Sequence, residues 1–599
     1  MPARILGSVL AAWLVIVVAP AHAQNHIQII YPLPGQEIPA VDSTFIFGNT
    51  HPEASLQING KKVAVHKGGG FLAFLPVTLG PFRFELISEL GQDVCSSSVE
   101  MVVGQLPGTG SGYVSVKSIS PSGRTALSAT GEFEFELEVR RIFATGNGGR
   151  AFCRFERDSV WREMYPEPSR TLDSVFGDQP QSAGAGYVLC RGVLPMADAG
   201  DSSRVFYRLE AQSYDSTSGS WTKNVEHDST SYYVVKMREY PPRVLRLLGR
   251  PRIVRTAPGK GYKLVNQPAG IRMVCTGEYP GYYQVRLAGN VTGYVKTSDA
   301  ALEPTGALPP RGVVKYVVAD DLPRQVRIKL EFGDKLPFEM HTDGNLMTVD
   351  VYGLVSDTDW IRQNGTQKFI ESIWWSQPQD DVYRLNVRWS DKHFWGYAAE
   401  YLDDQLVITI KKQPGRSLKG VRIVVDAGHS HDVGAVGPTG LAEKDANLWI
   451  AHELRKMLEA RGADVLMTRA GHEDRDLYER VDMALKQDAD ILVSIHNNAL
   501  PDGINPFSHN GTSVYYYFNQ ARPLADAIHA ELVRRTGLSD HGLYYGNLAL
   551  TRISECPAVL VECAFMMIPE QEDLLKTDKF QRKCAKAILK GIVEYLKDE

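Results

Sequence analysis

Over most of the chain up to residue 412, apolar and polar residues alternate with a period of two, the pattern of strands that bury one face. Phe82, Phe84 and Leu86 alternate with Arg83 and Glu85, and Phe133, Phe135, Leu137 and Val139 alternate with Glu134, Glu136 and Glu138. Val326, Ile328 and Leu330 are separated by Arg327 and Lys329. Ile58-Asn59-Gly60-Lys61 predicts a tight hairpin, because Asn-Gly accepts the positive φ angles of a primed turn. At Gly420 the pattern changes. Apolar runs of strand length at 421–425, 463–468, 491–495, 513–518 and 558–561 now alternate with helical spacing at 443–461, 477–487, 523–535 and 579–596. That alternation predicts an α/β domain with a mostly parallel sheet covered on both faces.

The expected architecture is therefore multidomain, with all-β modules followed by a C-terminal α/β domain. Turn-rich and glycine-rich boundaries divide it into a β-sandwich-like domain at 24–104, a second β domain at 113–242, a small barrel at 244–304, a further β domain at 312–412 and the α/β domain at 420–599. The linker Gln-Leu-Pro-Gly-Thr-Gly-Ser-Gly at 105–112 leads into a strand-like run, so its glycines do not form a phosphate loop.

Residues 1–23 read as a signal peptide, with Arg4, a short apolar core and the small-x-small site Ala21-His22-Ala23. The apolar core is too short to span a bilayer, and no later segment approaches ~20 apolar residues. The chain is thus expected to be exported without a transmembrane anchor, to the periplasm, or alternatively to the extracellular medium. The formal net charge of −5 argues against binding nucleic acid by phosphate neutralisation. Seven cysteines leave at least one without an intramolecular partner, and a Cys153–Cys190 disulfide is the expected pairing if one forms.

In an open α/β sheet the site lies beyond the carboxyl ends of the strands. His429 follows the strand at 421–425, His496 ends the strand at 491–495, Glu562 follows the apolar run 558–561, and Glu443 opens the first long helix. Taken singly, each has an ordinary structural role open to it: a loop histidine, or an acid favouring a helix N-terminus. Together, two imidazoles and a carboxylate with a second carboxylate to spare form the donor set of a catalytic zinc site with an open position for water. Glu562 is the most telling of the four, since a charge placed directly after four apolar strand residues is costly without a partner or a task.

Three resemblances to known families follow from particular residues. Arg255-Thr256-Ala257-Pro258-Gly259, Gly281-Tyr282-Tyr283-Gln284-Val285 and Gly293-Tyr294-Val295 resemble the bacterial Src-homology-3-like barrel, a family that often binds cell-wall glycopeptide. Segment 312–412 resembles in arrangement the amidase N-terminal localisation domain, where Trp374, Trp375, Trp389 and Trp395 are expected chiefly as core. The most specific resemblance covers 420–599. Val424-Val425-Asp426-Ala427-Gly428-His429, Glu443-Lys444-Asp445-Ala446-Asn447-Leu448, Thr468-Arg469, Ser494-Ile495-His496-Asn497-Asn498-Ala499 and Pro557-Ala558-Val559-Leu560-Val561-Glu562 are similar to the zinc-dependent N-acetylmuramoyl-L-alanine amidases.

That resemblance implies one Zn2+ per catalytic domain held by His429, Glu443 and His496, Glu562 as the catalytic glutamate, and Asn498, Asn547 and Arg552 as substrate-binding residues. It implies hydrolysis of the amide between the lactyl group of N-acetylmuramic acid and L-alanine in peptidoglycan, for cell-wall remodelling or daughter-cell separation. Peptidoglycan is the expected partner, with cell-division or cell-wall regulatory proteins beside it. The alternatives are a zinc peptidase of the stem peptide and an inactive wall-binding scaffold. The chain departs from the family at Ser430-His431, Ala564 and Met567-Ile568, none of which removes a ligand. Pro501, Gly503, Pro506 and Gly511 also break 499–512 too often for the long plug helix that some members carry there.

Overall fold

The computed structural model describes residues 25–39, 41–104, 116–120, 125–128, 132–140, 150–166, 187–199, 201–215, 220–237, 242–289, 291–365, 369–390 and 394–597. The expected signal peptide at 1–23 and the expected linker at 105–112 lie outside the described residues. Among the described residues no helix is long and apolar enough to cross a membrane. The chain is β-rich throughout its first two thirds.

Two sheets face each other in the amino-terminal segment. One has three strands, Ile27–Tyr31, Ser43–Thr50 and Gly70–Pro76, and the other five, including the long hairpin Gly80–Leu90 and Asp93–Val103. Phe84 and Leu86 point into the core between them, beside Val99 and Met101, while Arg83 and Glu85 point out. Ile58 pairs with Lys61 across a turn in which Asn59 and Gly60 hold φ of 48° and 74°, the conformation that dipeptide accepts.

The segments expected at 113–242 and 244–304 share a sheet. Strand Arg272–Tyr279 pairs with Tyr282–Ala288 on one side and with Thr125–Ser128 on the other, so one ladder joins the two expected segments. Cys153 and Cys190 are both buried and free, and no disulfide joins them. They sit on strands that already meet neighbours through backbone bonds, Cys153 opposite Tyr207 and Cys190 opposite Leu137, and burial pushes both thiols up, to about 12 and about 11. Residues 312–410 form a five-stranded and a four-stranded sheet around one core. Trp389 and Trp395 are fully buried, whereas Trp374 and Trp375 keep more than a third of their surface.

The C-terminal sheet has six strands: β1 (Arg422–Ala427), β2 (Asp464–Met467), β3 (Ile491–Asn498), β4 (Thr512–Tyr516), β5 (Asp540–Tyr545) and β6 (Ala558–Phe565), in the order β2-β1-β3-β6-β4-β5. The first four in that order are parallel. β4 then runs antiparallel to β6, and β5 parallel to β4, so the sheet is mixed. Helices α1 (Glu443–Glu459), α3 (Arg522–Thr536) and α5 (Asp578–Lys597) cover one face, where they bury Ile423, Val425, Ile491, Val493, Val559 and Val561. Helix α2 (Leu477–Lys486) lies against the other face, which holds Val424, Leu492 and Ala558. Asp476 starts α2 with a capping box closed by Glu479. Helix α4 (Pro569–Leu575) and strand β5 complete the domain.

The amino-terminal sandwich docks on this domain. Phe45, Phe47 and Leu72 form a joint apolar cluster with Leu500, Ile504, Phe565, Met567 and Ile568. Tyr31 and Thr44 donate to Asp502, and Asn49 Nδ2 donates to the Pro438 carbonyl at 2.8 Å. The segment 499–511 contains no helix.

Candidate active site

The register of the parallel strands brings the polar residues to one edge. His496 lies opposite Glu562 in the β3–β6 ladder, and β1 stops one residue before Gly428 and two before His429. His429 itself has φ of 62°, a left-handed conformation that turns the chain sharply off the end of β1. Glu443 begins α1 and is almost wholly buried.

One nitrogen from each imidazole and one oxygen of Glu443 lie within 4.8 Å of one another, a group that can hold a metal ion. Glu443 Oε2 is 3.0 Å from His429 Nε2, and Oε1 is 2.9 Å from His496 Nδ1. The two rings stand edge to face with centroids 4.9 Å apart. The chemistry of the donor set fits zinc, which takes neutral imidazole nitrogen and carboxylate oxygen and keeps a position open at three protein ligands. The backbone around it is cut to size: a Cβ on Gly428 would collide with the His496 ring, and one on Gly434 with Glu443 and His429.

Two of the three donors, His429 and Glu443, are held from behind. His429 Nδ1 meets Asp432 Oδ2 at 2.9 Å, the carboxylate contact that fixes the tautomer of a ligating histidine. Asn447 Nδ2 and the amide of Asn497 donate to Glu443 Oε1, and the amide of Ala435 donates to Oε2. Burial alone would raise the Glu443 pKa, but hydrogen bonds from His429 and His496 outweigh it and hold the carboxyl far below the usual range. Burial likewise works against a charge on His429, and the contact with Glu443 reverses the sign, raising its pKa.

Below the donors lies a buried ion pair. Asp426 is fully buried and accepts from Arg480 Nη1 at 2.8 Å, Thr468 Oγ1 at 2.5 Å and Ser494 Oγ at 2.6 Å. Arg480 then donates to the carbonyls of Ala427 and His429. Arg469 donates to those of Ala427, Gly428 and Lys444. The two guanidiniums thus tie the end of β1 to the start of α1, and with them the positions of His429 and Glu443. Arg480 and Asp432 carried no signal in the sequence: one reads as an ordinary helix arginine, the other as a loop acid.

Glu562 faces the same edge, and its Oε2 is buried without a hydrogen-bond partner. Burial, with the Glu443 charge nearby, pushes its pKa well above the ordinary carboxylate value. Cys563, next along β6, points the other way into the core against Cys584. His431 is exposed and outside the donor group. Asn498 ends β3 at the same edge, where its Oδ1 accepts from the Ala499 amide. Asn547 and Arg552 are not brought there. Because β4 and β5 run against β6, the loop between β5 and β6 lies at the opposite edge of the sheet. There Arg552 Nη1 donates to Asn547 Oδ1 at 2.9 Å.

A mixed α/β sheet with a histidine–glutamate–histidine group and a glutamate that holds one buried, unpartnered oxygen at the same edge fits a hydrolase domain. Residues 423–594 match the N-acetylmuramoyl-L-alanine amidase family, whose members depend on zinc. The chain belongs to this family through its C-terminal domain. It is 34% identical over 188 residues to the uncharacterized protein YqiI of Bacillus subtilis (strain 168), covering 31% of this chain and 88% of that one. It is 35% identical over 181 residues to the N-acetylmuramoyl-L-alanine amidase LytC of the same strain, covering 29% of this chain and 36% of LytC. Among solved structures, N-acetylmuramoyl-L-alanine amidase AmiC2 of Nostoc punctiforme is 32% identical, with 30% of this chain and 99% of that one covered and a TM-score of 0.29.

Proposed function

We propose that this protein is an exported amidase that hydrolyses the bond between the lactyl group of N-acetylmuramic acid and the L-alanine of the stem peptide in peptidoglycan. His429 Nε2, His496 Nδ1 and a Glu443 oxygen would hold one zinc ion. When bound, such an ion lowers the pKa of an attacking water and polarises the scissile carbonyl. Glu562 accepts the proton that the water loses and delivers it to the departing L-alanine nitrogen. Its buried, unpartnered Oε2 would carry the proton. Asn498, at the same edge, would meet the substrate backbone.

The observation that carries this reading is the convergence of His429, Glu443 and His496 beside the unpartnered Glu562 carboxylate, within the region that matches the amidase family. Its test is mass spectrometry of the products released from purified sacculi, with and without a chelator. Intact stem peptides with a free L-alanine amino terminus, lost on chelation and restored by zinc, are expected. Peptides cut between amino acids would make the protein a stem peptidase, and release of nothing by the zinc-loaded chain would make it a scaffold.

A further inference from the structure

A second concave site lies away from the metal-binding group. At the opposite edge of the C-terminal sheet, three segments of the chain enclose a cavity of about 890 Å³, the size of a small-ligand site. The 244–304 segment supplies Arg255 and Tyr262, the 312–412 segment Glu339 and His341, and the C-terminal domain Tyr517 and Arg552.

The charges in this lining are unevenly satisfied. Glu339 is matched by His341 at 3.1 Å and by the Tyr352 hydroxyl at 2.8 Å. Asp482 is matched by Arg250 at 3.2 Å, and Asp299 by Arg252 at 3.1 Å. Glu400 stands exposed, and burial pushes the Glu555 carboxyl up toward its neutral form. Arg255 and Arg552 are different. Both guanidiniums pack on the ring of Tyr262, 4.9 and 5.2 Å from its centroid, and among the described residues neither has a carboxylate within ion-pair distance. A guanidinium stacked on a ring leaves its in-plane N–H groups turned outward, and that fork matches a carboxylate; Arg552 gives its Nη1 to the Asn547 carbonyl and Oδ1, so its Nε–Nη2 edge is the fork it offers. Tyr517 and Tyr545, with centroids 5.2 Å apart and ring planes tilted by 31°, add an amphipathic aromatic surface beside it.

We propose that this cavity binds a carboxylate-bearing saccharide, namely the glycan left by the reaction. This rests on the amidase reading: hydrolysis adds the water oxygen to the lactyl carbonyl, so a neutral amide on the sugar becomes a carboxylate. The lactyl carboxylate therefore marks glycan that has already been cut. Arg255 and Arg552 take the carboxylate, and the tyrosines take the sugar rings. Held there, at the edge away from the reacting bond, a processed strand keeps the enzyme on the wall while the catalytic edge takes the next stem.

The test is calorimetric titration of the full zinc-loaded chain with three probes: the N-acetylglucosaminyl–N-acetylmuramic acid disaccharide, the same disaccharide with its lactyl group as a carboxamide, and di-N-acetylchitobiose. The acid disaccharide is expected to bind at least about tenfold more tightly than the other two. Arg255→Gln and Arg552→Gln, on separate segments, should each weaken it by a similar factor with an unchanged melting curve. Binding should survive Glu443→Ala, which removes the metal donor. Equal affinity for the three probes, binding insensitive to both arginine variants, or no binding at millimolar concentration overturns the proposal. Stem-peptide release measured in parallel separates the cases: its absence from the wild type counts against the amidase reading, and its presence without carboxylate-selective binding counts against the cavity alone.

Discussion

Removing the Asp426 carboxylate should be among the most damaging single changes in the C-terminal domain, although Asp426 touches no expected metal donor. Its side chain is fully buried, and so is Arg480, which it pairs with at 2.8 Å. Burial alone would raise the Asp426 pKa, and the Arg480 charge outweighs it and holds the carboxyl low. In Asp426→Ala the guanidinium keeps its carbonyl partners but loses its only counter-charge among the described residues, and Thr468 and Ser494 lose an acceptor. Breaking a buried pair from one side costs about 3–5 kcal/mol. The remaining carbonyl bonds place this case near the lower end, and the two stranded hydroxyls add back about 1 kcal/mol, for roughly 4 kcal/mol in all. The assay is urea unfolding of the metal-free protein for Asp426→Ala, Arg480→Met and the double variant. The double variant, which strands no charge, should be more stable than the two single losses added together predict, by well over about 1 kcal/mol. A single-variant cost below about 1 kcal/mol, or simple additivity, would refute the reasoning.

Four further outcomes follow from the same geometry. Glu562→Gln should retain zinc but lose about 10²–10⁴ in turnover, the usual worth of general acid–base catalysis, and near-normal turnover would remove Glu562 from the reaction. Phe47→Ala opens the apolar seam between the amino-terminal sandwich and the C-terminal domain, and should cost about 3 kcal/mol or more; a melting curve identical to wild type would show that the seam contributes nothing. For Asp502→Asn, hydrogen–deuterium exchange should rise in 499–504, where Tyr31 and Thr44 no longer hold a carboxylate; unchanged protection would count against that clamp. The Glu531 carboxyl works against its own burial but is held low by Arg534 and Arg535, so the stability it adds is present above an unfolded pKa of ~4.3 and is lost as pH falls through the folded value. The gap in melting temperature between wild type and Glu531→Gln should therefore close on acidification from pH 7, and a constant gap would contradict the pairing.

Much of the catalytic edge was legible because its signals are local. A β-branched run that ends in a polar residue states both the strand and the edge, and this holds for His496 and Glu562. Strand alternation likewise separates Cys563 from Glu562 without any knowledge of the sheet. What was not legible depends on partners distant in sequence. Nothing near Arg480 says that its helix turns it inward toward Asp426. Strand β5 is a half-buried edge strand interrupted by Gly542, and α4 spans only two turns, so neither produces a clear period. The reversal of β4 against β6 is a choice of neighbour, and it alone sends Asn547 and Arg552 to the far edge. The ladder joining Thr125–Ser128 to Arg272–Tyr279 is the same kind of choice, since edge pairing leaves no mark on either strand's own pattern.

Three side chains of this one domain, His429, Glu443 and His496, are expected to bind a single zinc ion and leave a position open. The direct measurement is a crystal structure of the zinc-loaded full chain with anomalous data collected at the zinc absorption edge. One anomalous peak bonded to His429 Nε2, His496 Nδ1 and a Glu443 oxygen, with a water or product atom completing the shell, is the expected result. A peak elsewhere, a fourth protein donor closing the shell, or no bound zinc at that group would contradict it.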